Sequence, residues 1–355
     1  LSAEVIFAIR FGRFCVYLFY VTSNRRLAYI QLNGSSCICF KEPDMVWIKK
    51  TAMTVLSGLC IPMMAWGDPF DAQRVPVDAK WVIHIDMDAA RHSKTWEAVD
   101  DHLANNEGFQ SSVAQIEQAT GMQFPDDVHD VTLYGRAAGD EAGVVVLHGK
   151  IDHNRTIAAL QMNPDYTQTD YGKYQVMSWP DKEKKLFGAF HDDSTVVVGR
   201  TQANIEAALD TMDAKAECVK EGPLAAGATP QLLVYVAVKD LAGLQRDKDA
   251  QSPLLKRISS GWVGLSEKDG NAVVHANLTT ATPEMAEQLH TAIEGIKAMV
   301  SLAAEGANAD PKAKAAANAL QTLHPASDGK IVSVDWPIPL DQVTGFIASL
   351  PVKGH

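Results

Sequence analysis

The sequence predicts an α+β protein made of two tandem ferredoxin-like β-α-β-β-α-β repeats, each an antiparallel sheet with helices on one face. Three observations predict it. Strand and helix periodicities recur in one order twice along the chain. Each copy contains a hairpin pattern, and in the second copy its turn reads Lys268-Asp269-Gly270-Asn271. Asp-Gly supplies the positive φ angles that a tight turn needs. The 355 residues also suit two units, at about 100–200 residues per domain, so each is long enough to bury a core.

The first repeat is expected over residues 68–224. It opens with the strand Trp81–Asp88, in which Ile83, Ile85 and Met87 alternate with His84, Asp86 and Asp88. Helices follow at Ser93–Asn105 and Phe109–Thr120, closed by Gly121 and Pro125, residues that end rather than extend a helix. The strands Asp130–Arg136 and Val144–Lys150 form a hairpin, and a helix spans His153–Met162. A tyrosine-rich hairpin at Tyr166–Trp179, the strands Lys185–Phe190 and Thr195–Gly199, and the helix Gln202–Met212 complete the copy.

The second repeat is expected over residues 225–355. The strand Gln231–Val238 opens it, and a short helix near Pro253–Ile258 leads to the hairpin Gly261–Glu267 and Ala272–Leu278. The next helix, Pro283–Glu305, carries Met285, Leu289, Ala292, Ile296, Met299 and Ala303 at alternating spacings of four and three, one apolar stripe for a core. Asp310-Pro311 starts a further helix to Leu323 as cap and first-turn proline. The strand Lys330–Trp336 and the helix Asp341–Leu350 finish the chain.

The strands Val144–Leu147, Val196–Val198 and Leu232–Val238 are apolar on both faces. A sheet with one wetted side alternates instead, so something covers the second face. The other repeat, or the same surface of a second molecule in a homodimer, is the expected cover. A hydrophobic ligand is the alternative.

The start of the chain reads as targeting sequence. Met45-Val-Trp-Ile-Lys49-Lys50 is a basic n-region, Thr51–Trp66 an apolar run, and Ala65-Trp66-Gly67 a small-residue cleavage site. Residues 45–67 are therefore expected to be a cleaved signal peptide, the chain's one, transient membrane contact. Residues 1–44, which open on Leu1, are expected to be an upstream extension read from a misplaced start. The mature chain would then be periplasmic or secreted. Of 5 cysteines only Cys218 lies beyond the signal, so no intramolecular disulfide is available to it and it reads as a bystander.

Composition excludes some functions. The net charge of −11 argues against nucleic acid, whose phosphates need clustered Lys and Arg. Zinc-protease, nucleophile-elbow, phosphate-loop and dinucleotide motifs are absent from the sequence, and no cofactor is implied. The best constellation is His84, Asp86 and Asp88, three polar side chains expected on one strand face. With His148, or His191, from neighbouring strands they form a candidate metal site, and the competing reading is a solvated strand face. Asp126-Asp127 after Pro125 reads as turn chemistry. Tyr166, Tyr171, Tyr174 and Trp179 are either a stacking surface for a ligand or packing at the sheet edge.

A signal peptide, then Val75-Pro-Val-Asp-Ala79-Lys-Trp81-Val-Ile-His-Ile-Asp86, then two α+β units is a layout that resembles uncharacterised exported bacterial proteins. The resemblance spans most of the mature chain, implies export, and carries no chemistry. The sequence thus predicts a secreted, non-enzymatic binding protein whose protein or small-molecule partner it does not name. Two alternatives stand beside it: a metal-dependent hydrolase using His84, Asp86 and Asp88, in which the metal makes the nucleophile, and a carrier of a hydrophobic small molecule.

Overall fold

The computed structural model describes residues 7–11, 14–18, 69–181, 184–241, 244, 255–305 and 311–348. The expected signal peptide and most of the expected upstream extension lie outside them. The strands β1 (Phe7–Phe11) and β2 (Phe14–Leu18) pair with each other. The other twelve form one sheet in which every pairing is antiparallel.

In the first half come β3 (Trp81–Asp86), the helices α1 (Met87–Ala90), α2 (Lys94–Ala104) and α3 (Glu107–Thr120), and the hairpin β4 (Val128–Gly135) and β5 (Gly143–Gly149). Then follow α4 (His153–Gln161), β6 (Thr167–Tyr171), β7 (Tyr174–Asp181), β8 (Lys184–Phe190), β9 (Thr195–Gly199) and α5 (Gln202–Met212). The second half comprises β10 (Val234–Val238), β11 (Ile258–Lys268), β12 (Asn271–Thr280), α6 (Pro283–Ala304), α7 (Pro311–Gln321), β13 (His324–Asp328), β14 (Ile331–Pro339) and α8 (Leu340–Ala348). Side chains cap these helices: Ser93 accepts from Trp96 N–H, Asn106 from Phe109 N–H and Thr282 from Met285 N–H. Asp269 and Gly270 both have positive φ, 51° and 77°, as the Asp-Gly turn requires. Among the described residues no helix is long and apolar enough to cross a membrane.

The α+β class holds, but two separate ferredoxin-like sheets are not found. The sheet order is β13-β14-β12-β11-β10-β3-β4-β5-β9-β8-β7-β6, so the opening strands of the two halves, β3 and β10, meet at a central seam. Ile83 stands opposite Val236 and His84 opposite Tyr235. In the ferredoxin-like order the opening strand pairs with the second strand of the hairpin and with the closing strand. Here β3 pairs with β4, the first strand of its hairpin, and β10 fills the place beside it. The closing strand β9 pairs with β5, and β14 pairs with β12.

Helices also lie on both faces rather than one. Ile205, Ala208 and Leu209 of α5 pack with Val82, Tyr134, Val146 and Val197. On the opposite face Trp96 of α2 joins Ile85, Val131 and Leu147, while Ala286 and Leu289 of α6 cover Leu278 and Val332. The physical reason is the one the apolar strands announced. Val82 and Ala237 lie in one buried cluster and Ile83 and Val238 in another, so each face of the seam needs its own cover.

Candidate functional site

The strand β3 ends at Asp86, not Asp88. Asp86 has extended backbone and caps α1, its Oδ1 accepting from Ala89 N–H at 2.8 Å. Asp88 therefore sits on a helix turn and leaves the face shared by His84 and Asp86. A carboxylate three residues before a free helix amide outcompetes the strand period, because it satisfies an amide that otherwise has no partner.

His84 and Asp86 are buried, at 3% and 0% exposure. Across the seam with β4, His84 stands opposite Thr132 and Asp86 opposite Asp130. His84 Nδ1 is 2.9 Å from Thr132 Oγ1 and 4.0 Å from Asp130 Oδ1. Asp130, itself buried, accepts at Oδ2 from Arg74 Nη1 at 3.2 Å and lies 3.2 Å from His148 Nδ1. Arg74 comes from the 3-10 turn Ala72–Arg74, which packs against α5. His84, Asp86 and His148 are thus gathered around Asp130, a residue the sequence reading took only as the start of a hairpin strand. Burial pushes the Asp130 carboxyl up, but the His148 hydrogen bond and the charges of Arg74, His84 and His148 outweigh it, leaving the carboxyl below its ordinary value.

A bulge sets the outer part of the site. Val128 pairs with Gly149 and Asp130 with His148, so His129 is an extra residue on β4, and a bulge re-aims such a side chain. A Cβ on Gly149 would come 2.3 Å from the Asp127 carbonyl oxygen, which explains the glycine opposite the bulge. The His129 ring lies 5.2 Å from the His148 ring, centroid to centroid, and its Nδ1 is 3.0 Å from Asp88 Oδ2. Arg91 pairs with Asp88 and donates from Nη1 to the carbonyls of Pro125, Asp126 and Val128 at 2.6, 2.9 and 2.8 Å. It pins the loop before β4. Asp127 accepts from Gln123 N–H at 2.9 Å and from Lys150 Nζ at 3.3 Å, and these bonds, led by the Gln123 amide, hold its carboxyl low. That is the turn chemistry expected of it.

Above this layer opens a cleft of about 680 Å3, lined by Asp88, Asp127, His129, His148, Lys150, Asp152, Asp193 and Ser194 with the backbones of Gly121 and Gly149. Among the described residues no group of three or more His, Cys, Asp or Glu side chains is arranged to hold a metal ion. The donors of the expected metal set are engaged with protein: His84 with Thr132, Asp86 with the α1 amide, Asp88 with Arg91 and His129. What the arrangement does chemically is join β3, β4, β5 and the Arg74 turn through buried charge, and present carboxylates and imidazoles to the cleft.

The remaining candidates lie elsewhere. His191 Nδ1 is 2.9 Å from Asp192 and its Nε2 is 3.4 Å from Asp213, beyond the end of β8. Tyr174 and Tyr171 donate to Asp213 and Asp210 at the end of α5, at 2.6 and 2.7 Å. Trp179 covers Gly188, whose added Cβ would sit 3.0 Å from the indole. Three of the four aromatics of that hairpin therefore fasten it to the fold, and half-buried Tyr166 donates to Gln168. Cys218 lies in an isolated bridge with Pro76.

The fold defines the chain as a mixed α+β protein with one broad antiparallel sheet. No family model matches it, and no curated protein matches its sequence. Three solved structures of TP0453 are similar to it. Its crystal forms III, I and IV give TM-scores of 0.46, 0.39 and 0.42 at 10%, 10% and 11% identity, covering 80%, 79% and 80% of this chain and 98%, 97% and 97% of that one.

Proposed function

We propose that this chain is an exported binding protein that takes a basic group, the ammonium or guanidinium of a peptide or small molecule, in the cleft above Asp130. One observation carries the reading. Among the described residues lining the cleft are the carboxylates of Asp88, Asp127, Asp152 and Asp193 and the lone ammonium of Lys150. Three of the four are already held in place: Asp88 by Arg91 and His129, Asp127 by Gln123 N–H, Asp152 by Arg155 N–H. Such anchoring lowers the ordering cost of binding. A net charge of −11 favours the approach of cations and repels anions. The signal pattern at Met45–Gly67 supports a periplasmic or secreted location for this role.

An NMR titration with a Lys-Arg dipeptide tests the proposal. Shifts at the Gly149 and Ser194 amides are expected, with binding about fivefold weaker in Asp193→Asn, the loss of one exposed ion pair, and weaker again at high salt. Equal binding of a Glu-Glu dipeptide, or no shift at those amides at millimolar peptide, would rule it out.

A further inference from the structure

On the second half of the sheet, three neighbouring strands bring a serine, a histidine and an aspartate into line. Gly264 of β11 pairs with His275 of β12, and His275 pairs with Asp335 of β14. Ser266 lies two residues beyond Gly264, so all three side chains share the face opposite α6. His275 Nδ1 is 2.7 Å from Asp335 Oδ1, and His275 Nε2 is 3.3 Å from Ser266 Oγ. With the carboxylate accepting from Nδ1–H, Nε2 carries the lone pair, which is the tautomer that accepts the hydroxyl proton.

The strand carrying the serine is fixed from its other side. Glu267, the next residue, accepts from Lys94 N–H at 3.2 Å, and from Thr95 N–H and Thr95 Oγ1 at 3.0 Å each. Ser266 is 8% exposed, while the His275 and Asp335 side chains are 37% and 71% exposed, so the group is open on the imidazole side and close-fitting at the hydroxyl.

We propose that Ser266, His275 and Asp335 form a nucleophilic site that takes a small carboxylic ester, an activity separate from ligand capture at the cleft. Ser266 Oγ bonds to the carbonyl carbon as its proton passes to His275 Nε2. His275 then gives that proton to the departing alcohol as the ester C–O bond breaks, leaving acyl-Ser266. Water repeats the two transfers and releases the acid. Asp335 is a positioning residue that holds the imidazole tautomer.

A small alkyl fluorophosphonate tests the site on the full chain, since Ser266 Oγ displaces fluoride from phosphorus with the same proton transfer. The expected result is a phosphonylated Ser266 peptide by mass spectrometry, absent from Ser266→Ala. Labelling should slow at least about 100-fold in His275→Gln and about tenfold or more in Asp335→Asn, with thermal melting showing both variants folded. Asp335→Asn alters an exposed side chain, so it keeps the test decisive should His275→Gln fail to fold. No adduct on Ser266, or labelling at an unchanged rate in a folded variant, would overturn the assignment.

Discussion

Asp86 and Asp130 stand opposite each other on β3 and β4, two carboxylates at 0% and 1% exposure on neighbouring strands. Buried like charges repel strongly unless cations or helix amides answer them. Asp86 is turned to the first amides of α1, and Asp130 is met by Arg74, with His84 and His148 at hand. The pair thus explains why the 3-10 turn Ala72–Arg74 carries an arginine.

Replacing Asp130 with Asn is expected to cost about 1.5–3 kcal/mol at neutral pH, because half-buried Arg74 loses its buried partner and keeps only the more exposed Asp71. The folded Asp130 carboxyl titrates below its ordinary value. Its stabilisation is therefore complete above the unfolded value near about 3.9 and is lost as pH falls through the folded one. Urea denaturation across pH should show a shallower acid decline in Asp130→Asn than in the parent chain, and identical slopes would refute the assignment.

Glu267 couples the halves by capping α2 from β11. Glu267→Ala should lower stability by about 1 kcal/mol, the usual worth of a cap. Glu267→Gln, which keeps an acceptor, should lose less. Urea midpoints read both, and an alanine variant as stable as the parent would show that the contact contributes nothing.

Tyr174 donates to Asp213 at 2.6 Å, and that bond is the leading cause of the depressed Asp213 carboxyl, ahead of Lys215. Tyr174→Phe should move Asp213 up toward the ordinary carboxylate range, observed as a carboxyl 13C titration. The acid-labile stability contributed by Asp213 should shrink with it, since a depressed carboxyl stabilises above its unfolded value and ceases to as pH falls. An unmoved titration would assign the depression to the lysines instead.

Local chemistry was readable along the chain. The Asp269-Gly270 turn and the start of α2 at Ser93 follow from interactions within a few residues. The α6 stripe holds only in part, since Leu289 is buried but Met285, Met299 and Ala303 are exposed and Ala286 is buried in their place. Strand β13 was missed, because His324-Pro-Ala-Ser-Asp328 has no apolar alternation and owes its form to pairing with β14. At the site, His84, Asp86 and His148 were found as polar residues on strands, while the acceptor that gathers them was not. Asp130 had a signal of its own, since it and Thr132 are polar on a face whose neighbour Tyr134 is core. Arg74 offered none, because its contact spans 56 positions.

By itself the sequence determined the α+β class, the order of the strands and helices other than β13 and α1, the acidic charge and the need to cover both faces of the central strands. Those properties depend on side-chain period and local capping, which act over a few residues. Only the tertiary structure decided that β3 and β10 join the halves in one sheet, that His129 is turned toward His148, and that Ser266, His275 and Asp335 line up. Each of these is set by strand register. Register is a choice among pairings of similar local cost, and it is fixed by the packing of residues far apart in the chain.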